Sequence, residues 1–236
     1  MENITRIDST VIQQEKLGFM SNVYGWMTFG LCLTALASAA TLGSPQLLQI
    51  VFGTRFVLMG LMIFELALVW YLSARINKLS PVMAKSIFCF YSLLSGVTLS
   101  VVALAYTRSS IESAFFLTAF SFGGLSLFGF ATKKDLGPIG SFCTMGLFGL
   151  IGFGLISMFF PSLMTETSSK IFSMVGVLVF AGLTAYDTQV IKSMRNQITS
   201  ENQANQFVIL GALRLYLDFI NLFLMILRLV GGGRRK

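Results

Sequence analysis

Runs of about twenty mostly apolar residues recur along this chain, and about 20 such residues in a helix span the hydrocarbon of a bilayer. Six runs are clear and a seventh is more polar: Val23–Leu42, Phe56–Arg75, Val82–Tyr106, Ile111–Thr132, Ile139–Phe160, Ile171–Ile191 and Phe207–Val230. The sequence therefore predicts an all-α polytopic membrane protein with seven transmembrane helices. Tyr24 and Trp26 stand at one end of the first run as interfacial aromatics, and Gly43-Ser44-Pro45 closes it. The third run carries Ser92, Ser95, Gly96, Thr98 and Ser100, and the fifth carries Gly146, Gly149, Gly152 and Gly154. Small residues at helical spacing let helix backbones approach.

Composition agrees: 55% of the 236 residues are hydrophobic and 11% charged, against about a quarter charged in soluble domains. The expected organisation is a polar tail at 1–22, one seven-helix membrane domain at 23–230 and a basic tail at 231–236. Residues 1–20 mix acids, bases and amides without a basic start or a small-residue cleavage site, so the first run is expected to stay as an anchor. Histidine is absent. That excludes a Ser-His or Cys-His catalytic pair, a histidine metal site and an imidazole pH switch, and leaves any pH sensing to carboxylates. Cys32, Cys89 and Cys143 sit singly in apolar runs and read as small hydrophobic fillers.

The net charge of +7 is scattered between apolar runs, which suits membrane orientation and not nucleic acid. With the N-terminus inside, Arg6, Lys16, Lys78, Lys133, Lys134, Lys192 and Arg195 lie on the cytoplasmic side, and Arg55, Arg108 and Lys170 on the other. This asymmetry places the N-terminus in the cytoplasm. Arg234, Arg235 and Lys236 depart from it: either they translocate or the last segment re-enters the membrane.

Two aspartates stand where lipid would be the solvent, Asp187 in the sixth run and Asp218 in the seventh. An ionised group at a helix centre costs roughly 2.5–3.5 kcal/mol on insertion scales, so such residues usually face a partner or a water-filled path. Their midpoint falls inside the polar connector 196–206, so an antiparallel hairpin can bring them level and let them share a proton, titrating as a unit. Near the interface, Asp187 also fits a hydrated structural carboxylate. The face of the seventh helix through Asp218 includes Gly211, Arg214, Asn221, Leu222 and Met225. An Arg214–Asp218 ion pair would hold Asp218 ionised, contrary to proton sharing, and the spacing allows both. Thr184 shares a face with Asp187. Arg75 lies at a depth comparable to Asp187 and either bonds it or snorkels to the headgroups. Glu65, deeper in the second run, either lines the same path or packs in protonated form.

Gly182-Leu-Thr-Ala-Tyr-Asp-Thr-Gln189 and Gly211-Ala-Leu-Arg-Leu-Tyr-Leu-Asp-Phe-Ile-Asn-Leu-Phe223 resemble the Bax inhibitor-1, or transmembrane Bax-inhibitor-motif, family in its bacterial form. Tyr91-Ser-Leu-Leu-Ser-Gly-Val-Thr-Leu-Ser100 and Lys134-Asp-Leu136 fit as well, and the resemblance covers nearly everything after the N-terminal tail. It implies two three-helix layers around a central C-terminal helix, and a pH-sensitive calcium leak in the bacterial inner membrane. Asp187 and Asp218 match the family's hydrogen-bonded sensor, and Arg75 is the candidate for an arginine latch. Arg214 departs from the small or polar residue more usual at its position.

Calcium prefers six to eight oxygen ligands. Asp187, Asp218, Asn221, Thr184 and Glu65 supply too few for storage, but a weak, transient site at Asp187 and Asp218 suits an ion that must also leave. No cofactor is expected; the partners are the lipid bilayer and calcium. A second reading is a non-transporting regulator that binds a membrane-bound protease or stress and cell-death factors. The third is an intramembrane aspartyl protease, which also needs one aspartate on each of two helices. Tyr186-Asp187 fits half of its signature, but Leu215-Tyr216-Leu217 replaces the Gly-x-Gly before the second aspartate, so the chain is not expected to be an enzyme.

Overall fold

The computed structural model describes residues 2–231, and all the long elements among them are helical. They are α1 (Glu2–Leu42), α2 (Pro45–Phe52), α3 (Arg55–Arg75), α4 (Pro81–Ala105), α5 (Arg108–Ala131), α6 (Gly137–Phe159), α7 (Glu166–Met194) and α8 (Glu201–Val230), with short 3-10 turns after α3, α6 and α7. Seven helices among the described residues are long and apolar enough to cross a membrane, all but α2. The protein is thus an all-α polytopic membrane protein. The expected basic tail beyond Gly231 lies outside the described residues.

Three boundaries differ from the sequence reading, each for a local reason. Helix α1 continues N-terminally past Val23, where the first apolar run starts. Phe19, Met20, Val23 and Met27 are all buried, and their three-to-four spacing gives one inward face across that boundary. Gly43-Ser44-Pro45 ends α1 but also starts α2: the Ser44 hydroxyl accepts from the Leu47 amide at 3.4 Å, and Pro45 occupies the first turn, where its missing N–H costs nothing. The polar connector 196–206 is shorter than composition suggests, because Ser200 caps α8. Its Oγ accepts from Gln203 N at 3.3 Å, while Gln203 Oε1 accepts from Thr199 N at 2.9 Å. This reciprocal cap turns amide-rich sequence into the first turns of a helix.

The packing groups into two units. The first contains the chain up to Val102 together with Ile191–Tyr216. The second contains Ala103–Val190 together with the chain from Leu217. Helix α8 therefore gives its first half to one unit and its second half to the other. Of its most apolar window 67% is buried, against 6% for α3. Exposed side chains such as Phe56 (81%), Phe120 (80%) and Trp70 (71%) would form aggregating patches in water, and they suit contact with lipid tails.

Small residues do bring helices together, but not where the glycine run on α6 suggests. In the first unit, Gly96 of α4 lies against the Thr34 backbone of α1. In the second, Gly129 of α5 lies against the Ala185 backbone and Gly140 of α6 against the Tyr186 ring, both on α7. Gly146 meets Val179, whereas Gly149, Gly152 and Gly154 have open space where a side chain would go. The first three of these contacts admit no Cβ, so those glycines set helix separation.

Candidate functional site

The second unit gathers four of the residues singled out from sequence: Thr184 and Asp187 on α7, Asp218 and Asn221 on α8. The two helices touch, since Gly176 of α7 faces the Met225 side chain of α8. Counting toward the connector from that contact, Asp187 is eleven residues on and Asp218 seven. At about 1.5 Å per residue, the aspartates lie within about one helical turn of the same depth. Asp218 is 5% exposed, and its Oδ2 atom has no contact with solvent. Asp187 is half-buried.

The surroundings of the aspartates are ordered by hydroxyls and amides bonded along the helices. Thr184 is fully buried and donates to Phe180 O at 2.7 Å. Thr188, one turn on, donates to Thr184 O at 2.8 Å and lies 3.3 Å from the Ser126 hydroxyl of α5. These back-bonds use the single hydrogen of each hydroxyl, leaving oxygen lone pairs to accept or to coordinate. Asn221 spends its amide nitrogen on Leu217 O at 2.8 Å, so its carbonyl oxygen is the atom suited to a cation. Phe219, beside Asp218, stacks edge-on with Phe115 and Phe122 of α5, which fixes the rotation of this half of α8.

The remaining candidates fall in the first unit. Arg75 ends α3 and is exposed, Arg214 of α8 is half-buried, and Glu65 is half-buried near the middle of the α3 crossing. Glu65 Oε1 accepts from the Thr98 hydroxyl of α4 at 2.8 Å. The serine and threonine stripe of α4 thus holds an acid as well as a helix contact.

Sequence reading passed over two residues that the structure makes prominent. Tyr216 is fully buried, and its hydroxyl lies 2.7 Å from Thr34 Oγ1 on α1. Gln189 clamps the α5–α6 connector: its Oε1 accepts from Leu136 N at 2.9 Å while its Nε2 donates to Lys134 O at 2.8 Å. The end of the Gly182–Gln189 motif is thereby bonded to the Lys134–Leu136 motif. Next to Asp187, Tyr186 lines a groove of about 440 Å³ with Gly140, Ser141, Thr144, Met145 and Phe148.

Seven apolar crossings with acids buried at depth define a polytopic membrane protein with an intramembrane polar site. Comparison with known proteins narrows this. The family model described as Inhibitor of apoptosis-promoting Bax1 matches residues 16–235. An inner membrane protein of Escherichia coli, YbhL, is 44% identical over 237 residues, covering 99% of this chain and 100% of its own length. Uncharacterised proteins of Borreliella burgdorferi and Deinococcus radiodurans are each 38% identical, covering 97% and 99% of the chain. The chain belongs to the Bax inhibitor family. These relatives carry the names of membrane or uncharacterised proteins, none of them enzymatic.

Proposed function

We propose that this protein is a pH-sensitive cation leak of the bacterial inner membrane, with calcium as the transported ion and Asp187 and Asp218 as its gate. The observation that carries this reading is the placement of Asp218: a carboxylate with one oxygen sealed from solvent, on the most buried crossing helix, in the same unit as Asp187 on the neighbouring helix. Such a group is costly in lipid unless it serves a path or a switch. Two nearby carboxylates that exchange one proton change the local charge by one unit. That is the difference between attracting and releasing a divalent cation.

The donor set supports transit. Asp187, Asp218, the carbonyl of Asn221 and the lone pairs of Thr184 give fewer oxygens than the six to eight calcium prefers, so water would complete the shell. Among the described residues no group of three His, Cys, Asp or Glu converges as a tight divalent site would need. A weakly held ion can leave as readily as it enters.

Purified protein in liposomes loaded with a calcium dye tests the reading. Wild type should pass calcium with a rate that varies between about pH 6 and 8, the range in which a shared proton would exchange. Asp187→Asn and Asp218→Asn should each flatten that profile. Wild-type flux equal to that of empty liposomes at every pH would remove the leak and leave the non-transporting regulator.

A further inference from the structure

Glu65 lies nine residues after Phe56 and thirteen before Lys78 in its crossing, near bilayer mid-depth. Its hydrogen-bond partner comes from another helix and is poised between two acceptors. The Thr98 hydroxyl sits 2.8 Å from Glu65 Oε1 and 3.0 Å from the Ser95 carbonyl oxygen. It has one hydrogen, so it donates to one of them at a time. An ionised Glu65 is the stronger acceptor and takes that hydrogen. A protonated Glu65 instead donates its own hydrogen to Thr98 Oγ1, and Thr98 then turns to the Ser95 carbonyl.

The Ser95 side chain lies beside the Tyr91 and Tyr216 hydroxyls. The Tyr216 hydroxyl meets Thr34 Oγ1 at 2.7 Å, and Thr34 has the Ser92 and Gly30 carbonyls at 2.9 and 3.0 Å. Thr98, Ser95, Tyr91, Tyr216 and Thr34 are all buried. Buried hydroxyls of α4, α8 and α1 therefore gather on the Glu65 side of α3, all inside the first unit. The titratable groups that feel the Glu65 charge are Tyr91 from α4 and Tyr216 from α8. Among the cations of this unit, Arg75 is exposed at the end of α3 and Lys85 lies over the Trp26 ring, 5.4 Å from its centroid. Arg214, half-buried on α8, is the one to control for.

We propose that Glu65 is a second proton-binding site of this protein, and that its occupancy is passed by way of Thr98, Ser95 and Tyr216 to α8. The proton comes from water and returns to it, and no other reactant is needed. The proposal does not depend on the protein being a leak.

Infrared difference spectroscopy of the full chain in lipid, titrated between about pH 5.5 and 9, tests it, since exposed carboxylates are already ionised there. The Asp187→Asn/Asp218→Asn protein should retain one carboxylic-acid carbonyl band that titrates, together with a tyrosine ring band that moves in step. Adding Glu65→Gln should abolish both. Thr98→Val should keep the carbonyl band but shift its frequency and midpoint. Ser95→Ala should leave the carbonyl titrating while uncoupling the tyrosine band. Arg214→Gln should leave a titrating band that Glu65→Gln still removes. A carbonyl band that survives Glu65→Gln, stays constant across the range or is absent from the double-aspartate variant overturns the proposal. So does a tyrosine band indifferent to Ser95→Ala.

Discussion

Gly129 and Gly124 sit on the same helix, five residues apart, and meet opposite surroundings. A Cβ at Gly129 would overlap the backbone carbonyl of Ala185, which cannot swing aside as a side-chain tip could. At Gly124 nothing lies within 4 Å of where the Cβ would be. Gly129→Ala should therefore push α5 and α7 apart and cost about 1–3 kcal/mol, as overpacking does. Gly124→Ala should be neutral or gain roughly 0.5–1 kcal/mol, because alanine is the better helix former. Thermal unfolding of the two variants in one detergent measures the contrast, and equal melting temperatures would refute it. Both glycines look alike in the sequence, since what separates them is the residue across the gap and not anything on their own helix.

Helix α7 has a second duty besides carrying Asp187, performed by Gln189. Its amide serves the α5–α6 connector as acceptor to Leu136 N and donor to Lys134 O at once, a pairing that only a carboxamide of this length can make. Gln189→Ala should free the connector and raise amide exchange at Leu136 in hydrogen–deuterium exchange, at a stability cost of about 1–3 kcal/mol. Gln189→Glu should keep the bond from Leu136 but lose the one to Lys134, and fall between. Exchange at Leu136 unchanged in both variants would show the clamp to be idle. At this scale the seven crossings were legible from the apolar runs, because helix length in a bilayer is dictated by hydrocarbon thickness. Asp187 and Asp218 were legible because acids are conspicuous in lipid-soluble sequence. The cap at Ser200, the helix after Pro45, the Gln189 clamp and the Tyr216–Thr34 pair were not. The clamp and the Tyr216–Thr34 pair depend on which polar group stands opposite, 53 and 182 positions away, whereas the two caps are built from partners three positions on.

For the whole molecule, the charges between crossings and the continuity of α8 together yield an expected orientation in the membrane. Lys78, Lys133 and Lys134 are exposed on the side predicted to be cytoplasmic. The two cations described on the other side, Arg108 and Lys170, are each tied to a glutamate of their own helix at 2.7 Å. Lysine and arginine resist translocation, so the richer side is expected in the cytoplasm. Helix α8 runs unbroken for 30 residues, about 45 Å at 1.5 Å per residue. A re-entrant segment would need a break at membrane depth to turn back, and α8 has none. The last segment thus has the form of a full crossing. Single cysteines in a chain whose Cys32, Cys89 and Cys143 have been replaced by alanine report the outcome. Lys134→Cys and Asn196→Cys should resist a membrane-impermeant maleimide in intact spheroplasts and react in inverted vesicles, while Ser162→Cys should do the reverse. Labelling of all three from one side would mean that α6 and α7 do not both cross. The mirror pattern would mean that the arginine and lysine balance is overruled and that the acids are reached from the opposite face.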